Sequence, residues 1–133
     1  MLTVTKRFKF DAAHFLPYYE GACHNLHGHT YHLDVTVAGR IVADDKNPKF
    51  GMIIDFKDLD RIVKDYVIKQ YDHSCLNDAF NNPTAEVMVM QIAHTIAMKL
   101  PRGLQLISCR LWETEDSYAE YFPEHTLIAK END

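Results

Sequence analysis

Cysteine is scarce: the 133 residues include three, Cys23, Cys75 and Cys109. An odd set without CxxC spacing excludes the disulfide framework that staples small secreted domains, and predicts a reducing, cytoplasmic setting. Cationic clusters are also missing. With 14 Lys and Arg against 19 Asp and Glu, the formal net charge of -5 argues against nucleic acid as a partner. No apolar run is long enough to span a bilayer, so no membrane partner is expected. The opening MLTVTKRFKF alternates in polarity and has no apolar h-region, so it does not read as a signal peptide. Repeats, low-complexity tracts and linkers are absent. The length then predicts one domain over residues 1–133, and the 47% apolar and 25% charged fractions are those of a globular one.

What is present is patterned. From about Leu2 to Phe15 the chain alternates, with Val4, Phe8, Phe10, Ala12 and His14 on one parity, which predicts a half-buried strand. A loop over Pro17–Asn25 precedes a second strand from about His27 to Val42, in which Tyr31, Leu33, Val35 and Val37 share the parity of His27 and His29. Asp44 to Pro48 reads as a turn. Asp55 is a suitable N-cap for a helix ending near Tyr71, with Phe56, Leu59, Ile62, Val63, Tyr66 and Val67 as its apolar stripe. A second helix starts at Pro83 or Thr84 and buries Val89, Ile92, Ala93, Ile96, Ala97 and Leu100, with Met88 and Met90 as core filling, before Pro101-Arg102-Gly103 stops it. Strands follow over about Leu104–Glu115, with Ile107, Cys109, Leu111 and Glu113 in phase, and over Ser117–Phe122. The order strand, strand, helix, helix, strand, strand predicts an α+β fold: a four-stranded antiparallel sheet with both helices on one face. Two open edges of that length have to be covered, so self-association that closes the sheets into a barrel is expected.

The chemistry centres on Cys23-His24-Asn25-Leu26-His27-Gly28-His29. Histidines two apart on a strand project from one face, so His27 and His29 can hold one ion. His14 joins them if the first two strands pair. Three imidazoles with an open position make a catalytic rather than a structural zinc set, and no carboxylate or thioether completes a set for iron or copper. Cys23 precedes the pair on a loop that must fold back over it; near a dication its thiolate is favoured, yet an ordinary loop thiol also accounts for it. Asp72-His73 is either an oriented base or a helix-terminal histidine. Glu113 either points at a buried face, where a bidentate ligand would satisfy it, or is solvated with Glu115. Thr84 and Glu86 read as a cap and a first-turn acid. His24, His32, His94 and His125 carry no evident role, and the acidic run from Glu113 to Glu120 and the tail Glu131-Asn132-Asp133 read as solvated.

Six segments in order carry a resemblance over nearly the whole chain: Phe-Asp-Ala-Ala-His at 10–14, Cys23 with Leu-His-Gly-His at 26–29, Gly-Met-Ile-Ile-Asp-Phe at 51–56, Tyr-Asp-His at 71–73, Asn-Pro-Thr-Ala-Glu at 82–86 and Trp-Glu-Thr at 112–114. The sequence resembles the 6-pyruvoyl-tetrahydropterin synthase / 6-carboxy-tetrahydropterin synthase family. That resemblance implies the tunnelling (T-fold) class, with trimers closing a barrel and two trimers stacking into a homohexamer. It implies Zn2+ on His14, His27 and His29, and a catalytic triad of Cys23, Asp72 and His73, the last two supplied across a subunit interface. It also implies Glu113 as the acid that anchors a pterin ring, in a pocket lined by Thr84 and Glu86.

Within the family, three residues between Cys23 and His27 are similar to the bacterial enzymes that make 6-carboxy-tetrahydropterin for queuosine and related deazapurines. The animal-type pyruvoyl enzymes have a longer insertion there. Relatives serving folate synthesis lack the cysteine and carry a nearby glutamate; here Glu20 and Cys23 are both present. The implied reaction converts 7,8-dihydroneopterin triphosphate to 6-carboxy-5,6,7,8-tetrahydropterin, releasing acetaldehyde and triphosphate. Pyruvoyl formation, side-chain aldol cleavage and a non-catalytic zinc domain are the alternatives. Cations for the triphosphate are not marked in the sequence; His24, Lys6 and Arg7 are the candidates.

Overall fold

A computed structural model describes residues 1–123. Strand β1 (Thr3–His14) and strand β2 (His27–Ala38) pair antiparallel along their whole length, Thr3 opposite Ala38 and His14 opposite His27. Alternation turns Phe8, Phe10, Ala12 and His14 of β1, with Tyr31, Leu33, Val35 and Val37 of β2, to one buried face. The other face carries Arg7, Lys9, Asp11, Thr30 and Asp34.

β2 stops at Ala38, short of the expected Val42. A side chain at Gly39 would meet Leu104 and Ile53, with Leu104 at 2.6 Å, so the strand ends where the chain passes close to them. Val42 instead closes a loop by exchanging hydrogen bonds with Gly51 and Met52 at 2.9 and 3.0 Å.

Helix α1 (Phe56–Val63) is capped by Asp55, whose side chain accepts the Lys57 N–H. It runs on through a π segment (Lys64–Ile68) and a final turn (Lys69–Tyr71). Its buried residues are Leu59, Val63, Val67 and Tyr71, spaced strictly by four. In an ideal α-helix such a row drifts by roughly 40° per step, and the wider π turn takes up the drift. Tyr66, expected on the apolar stripe, therefore lies exposed, and Phe56, expected there too, is exposed as well at the first position of the helix.

After α1 comes a two-residue strand, β3 (Ser74–Cys75), parallel to β1. The sheet is thus five-stranded and mixed, in the order β3-β1-β2-β4-β5, rather than purely four-stranded; β3 is too short to leave a period in the sequence. Helix α2 (Ala85–Lys99) starts at the Thr84 cap and buries Met88, Val89, Ile92, Ala93 and Ile96 against the sheet. Met90, expected in the core, is exposed.

Strands β4 (Gln105–Thr114) and β5 (Ser117–Tyr121) complete the sheet. A register shift against β2 sends Leu106 inward opposite Val37, so Ile107 leaves the core face on which Cys109 and Leu111 lie. Glu120 departs from the solvated reading of the acidic run: it accepts hydrogen bonds from Ser108 and Arg110 at 3.1 and 3.2 Å. His125 and the 131–133 tail fall outside the described residues. No helix among the described residues is long and apolar enough to cross a membrane. The sheet is open, with β3 and β5 as its edges.

Candidate metal centre and active site

The pairing of β1 with β2 brings His14 to the histidine pair. Ligand nitrogens of His14, His27 and His29 lie within 4.8 Å of one another, with His14 fully buried. The main chain sets two of the tautomers. His14 Nδ1 lies 2.8 Å from the Pro83 carbonyl and His27 Nδ1 lies 2.7 Å from the Asn25 carbonyl. A carbonyl can only accept, so both Nδ1 atoms carry protons and both Nε2 atoms present lone pairs. Those two Nε2 atoms face each other at 3.1 Å, an unfavourable contact unless a cation lies between them. The spacing matches two nitrogens on one tetrahedral ion, which at bond lengths of about 2.05 Å stand roughly 3.3 Å apart.

His29 adds a third donor. Its Nε2 is buried without a hydrogen-bond partner and lies 3.7 Å from Glu113 Oε1. Burial pushes the His29 pKa down, against the opposing pull of the Glu113 charge, so the ring favours the neutral form a ligand needs. The orphaned nitrogen and the facing lone pairs are both satisfied by a metal ion held by the three imidazoles.

Glu113 reaches this face by strand alternation, on the parity of the buried Cys109 and Leu111, as its phase in the sequence predicts. It lines a cleft with Glu86, Ser117, Tyr118 and Glu120. Thr84 caps α2 by accepting the Val87 N–H at 3.2 Å, next to the Pro83 carbonyl that holds His14. Cys23 sits half-buried in the Ala22–His24 turn, its carbonyl accepting the Leu16 N–H at 2.8 Å. The Cys23 sulfur is not among the ligand atoms that converge with the three imidazoles within 4.8 Å.

Asp72 and His73 lie elsewhere. His73 Nδ1 is 3.0 Å from Asp72 Oδ2 on a largely exposed turn where His73 adopts a φ of 59°. Asp11 holds that turn: its N–H donates to Asp72 Oδ1 at 2.9 Å, and its carbonyl accepts the His73 N–H at 2.6 Å. The Asp11 N–H, with His73 beside it, keeps the Asp72 carboxyl below its ordinary value. The Asp11 carboxylate accepts from Thr30 and so belongs to the helix-free face of the sheet, opposite the histidines. The structure thus gathers His14, His27, His29 and Glu113 on one face and places Asp72–His73 on the other. Of the candidate cations, Lys6 pairs with Asp60 at 3.9 Å and Arg7 is bidentate on Asp34 at 2.7 and 3.0 Å. Lys6 lies eight residues, or roughly 26 Å, along β1 from His14.

Sequence reasoning missed the Pro83 and Asn25 carbonyls and Asp11. The carbonyls leave no side-chain signal; Asp11 is visible as an acid at the end of an apolar strand, on the parity opposite His14.

Similarity to known proteins agrees with this geometry. Residues 3–124 match the family model described as 6-pyruvoyl tetrahydropterin synthase. The chain is 35% identical, over 91% of its length and 99% of the relative's, to the 6-carboxy-5,6,7,8-tetrahydropterin synthase of Haemophilus influenzae. It is 39% identical, over 80% of its length and 85% of the relative's, to the dihydroneopterin monophosphate aldolase of Pyrococcus furiosus. The 6-pyruvoyl tetrahydropterin synthase of Caenorhabditis elegans shares the fold, with a TM-score of 0.76 at 22% identity over 92% of this chain and 95% of that one. With the family model spanning both strands that carry the histidines and the strand that carries Glu113, the chain belongs to the 6-pyruvoyl tetrahydropterin synthase family.

Proposed function

We propose that this protein is a zinc-dependent 6-carboxy-5,6,7,8-tetrahydropterin synthase of deazapurine (queuosine) synthesis. It consumes 7,8-dihydroneopterin triphosphate and one water, and releases acetaldehyde and triphosphate. The observation that carries the proposal is the convergence of three imidazoles, two with their tautomers set by main-chain carbonyls, on the same face as Glu113. The Haemophilus influenzae relative, matched over nearly its full length, supports the carboxy product.

His14, His27 and His29 would hold the zinc, which when bound supplies a Lewis acid that lowers the pKa of substrate hydroxyls. The remaining steps belong to this chain's side chains. Glu113 accepts the paired N–H donors of the pterin ring edge, and Glu86 lines the same cleft. Thr84 acts through the backbone, fixing the start of α2 beside the Pro83 carbonyl. The Cys23 thiolate removes the proton on the substrate side chain, and His73, oriented by Asp72, is the partner acid and base. Because Asp72–His73 occupies the helix-free face of its own sheet, the pair that serves a given histidine cluster comes from a neighbouring subunit. The open β3 and β5 edges support a closed barrel of trimers, stacked as a hexamer. Three unpaired cysteines support a cytoplasmic setting.

The Pyrococcus furiosus relative favours a second reading, aldol cleavage of the pterin side chain. Mass spectrometry of products from 7,8-dihydroneopterin triphosphate decides between them. Equal amounts of 6-carboxy-tetrahydropterin and acetaldehyde are expected, whereas 6-hydroxymethyl-dihydropterin or 6-pyruvoyl-tetrahydropterin would overturn the proposal. A purely structural zinc domain would give no product at all. Cys23→Ala is expected to keep its zinc and lose the activity.

A further inference from the structure

Asn77 lies in the Leu76–Asp78 turn just after β3, four residues beyond His73. Its side-chain amide spans the main chain of Phe15: Oδ1 accepts the Phe15 N–H at 2.9 Å and Nδ2 donates to the Phe15 carbonyl at 2.9 Å. The β1–β3 ladder ends at Ala13 and Cys75, and this amide continues the pairing where no strand is left to do it. Phe15 is the residue after His14, and the next residue, Leu16, donates its N–H to the Cys23 carbonyl at 2.8 Å. One half-buried side chain therefore ties the stretch that carries Asp72–His73 to the end of β1 with its imidazole, and the main-chain bond from Leu16 carries that tie on to the turn that holds Cys23.

We propose that Asn77 is a positioning residue that sets the Cys23 turn against the histidine cluster. The proposal rests on the role assigned above to Cys23. The chemistry requires a primary amide at this reach, because both a donor and an acceptor are used on a single peptide. Aspartate keeps the acceptor for the Phe15 N–H but turns an anionic oxygen toward the Phe15 carbonyl. Leucine, of similar shape, satisfies neither group and leaves both unpaired. With the clamp gone, Phe15 and Leu16 no longer hold a fixed place, and the thiol loses its alignment with the reacting carbon while the three imidazoles keep theirs.

The test uses Asn77→Asp and Asn77→Leu in the full chain. Bound zinc, kcat and KM on 7,8-dihydroneopterin triphosphate are measured, together with the rate at which iodoacetamide alkylates Cys23, followed by peptide mass mapping to separate it from Cys75. The expected result is retained zinc, KM within about twofold, and kcat lower by about tenfold or more, the cost of a small misalignment. Alkylation of Cys23 rises about threefold or more as the turn opens locally. Ile92→Ala, which loosens the core between α2 and the sheet, is the control and leaves the Cys23 alkylation rate unchanged. An unchanged or slower rate in both Asn77 variants overturns the proposal, as does a Cys23 rate that rises equally in the control. If the wild-type protein makes no pterin product, the functional reading fails, while the alkylation comparison still decides the clamp.

Discussion

Stripping the metal with a chelator tests the histidine cluster most directly. Without a cation, the His14 and His27 lone pairs face each other at 3.1 Å and the buried His29 Nε2 stays unsatisfied. An unsatisfied buried polar atom alone costs about 1–3 kcal/mol. Binding adds RT ln(1 + [L]/Kd), about 4 kcal/mol at a metal concentration a thousandfold above Kd. For 133 residues the entropy of unfolding is about 0.28 kcal/mol/K, so 4 kcal/mol corresponds to about 15 °C in Tm. Scanning calorimetry of stripped protein, with and without added zinc at fixed protein concentration and pH 7.5, reads this directly. His27→Ala removes one of the two facing nitrogens and should abolish most of the zinc-dependent shift. A zinc effect smaller than about 2 °C on the stripped wild type, or a full effect retained by His27→Ala, would refute the assignment of these residues as ligands.

Other consequences are equally open to measurement. Glu113→Gln removes the charged acceptor of the proposed pterin contact, worth about 1.5–3 kcal/mol, so KM should rise about tenfold to a hundredfold while bound zinc stays constant. Asp34 is partly buried, which raises its pKa, but hydrogen bonds from Arg7 and Trp112 outweigh that and hold the carboxyl below its ordinary 3.8. The folded state thus binds fewer protons than the unfolded one, so the contribution is fully present above pH 3.8 and is lost below it, as the pH falls through the depressed folded-state value. Asp34→Asn should cost about 1–2 kcal/mol in urea melts at pH 7, after discounting for the exposed Arg7, and the gap should close in acid. Ile92→Ala opens a cavity at a fully buried site between α2 and the sheet and should cost about 2–4 kcal/mol by the same assay. Cys109, fully buried, has its thiol pushed up to about 12, chiefly by burial. It should resist iodoacetamide at pH 8 under conditions that alkylate half-buried Cys23.

Much of the fold was legible because its signals are local and periodic. Alternation over Val4 to His14 and over His27 to Val37 marks strands whose inner parity is the core, and Asp55 and Thr84 mark helix starts that the structure confirms with side-chain caps. The failures are also physical. A π segment replaced a uniform 3.6 period in α1 and left Tyr66 outside the stripe. A register shift in β4 reversed the parity of Ile107, and two residues of β3 were too few to show a period.

The same division applies to the site. His27, Gly28 and His29 by themselves determine that two imidazoles share a strand face, because side-chain direction in an extended chain depends only on parity. Tertiary structure decided the rest. The β1–β2 pairing delivered His14, and the Pro83 and Asn25 carbonyls chose which nitrogens face inward. Asp72–His73 was put on the opposite face of the sheet by contacts with Asp11, 61 residues away in sequence. Main-chain acceptors and long-range register have no side-chain signature, so they exist only once the chain has folded.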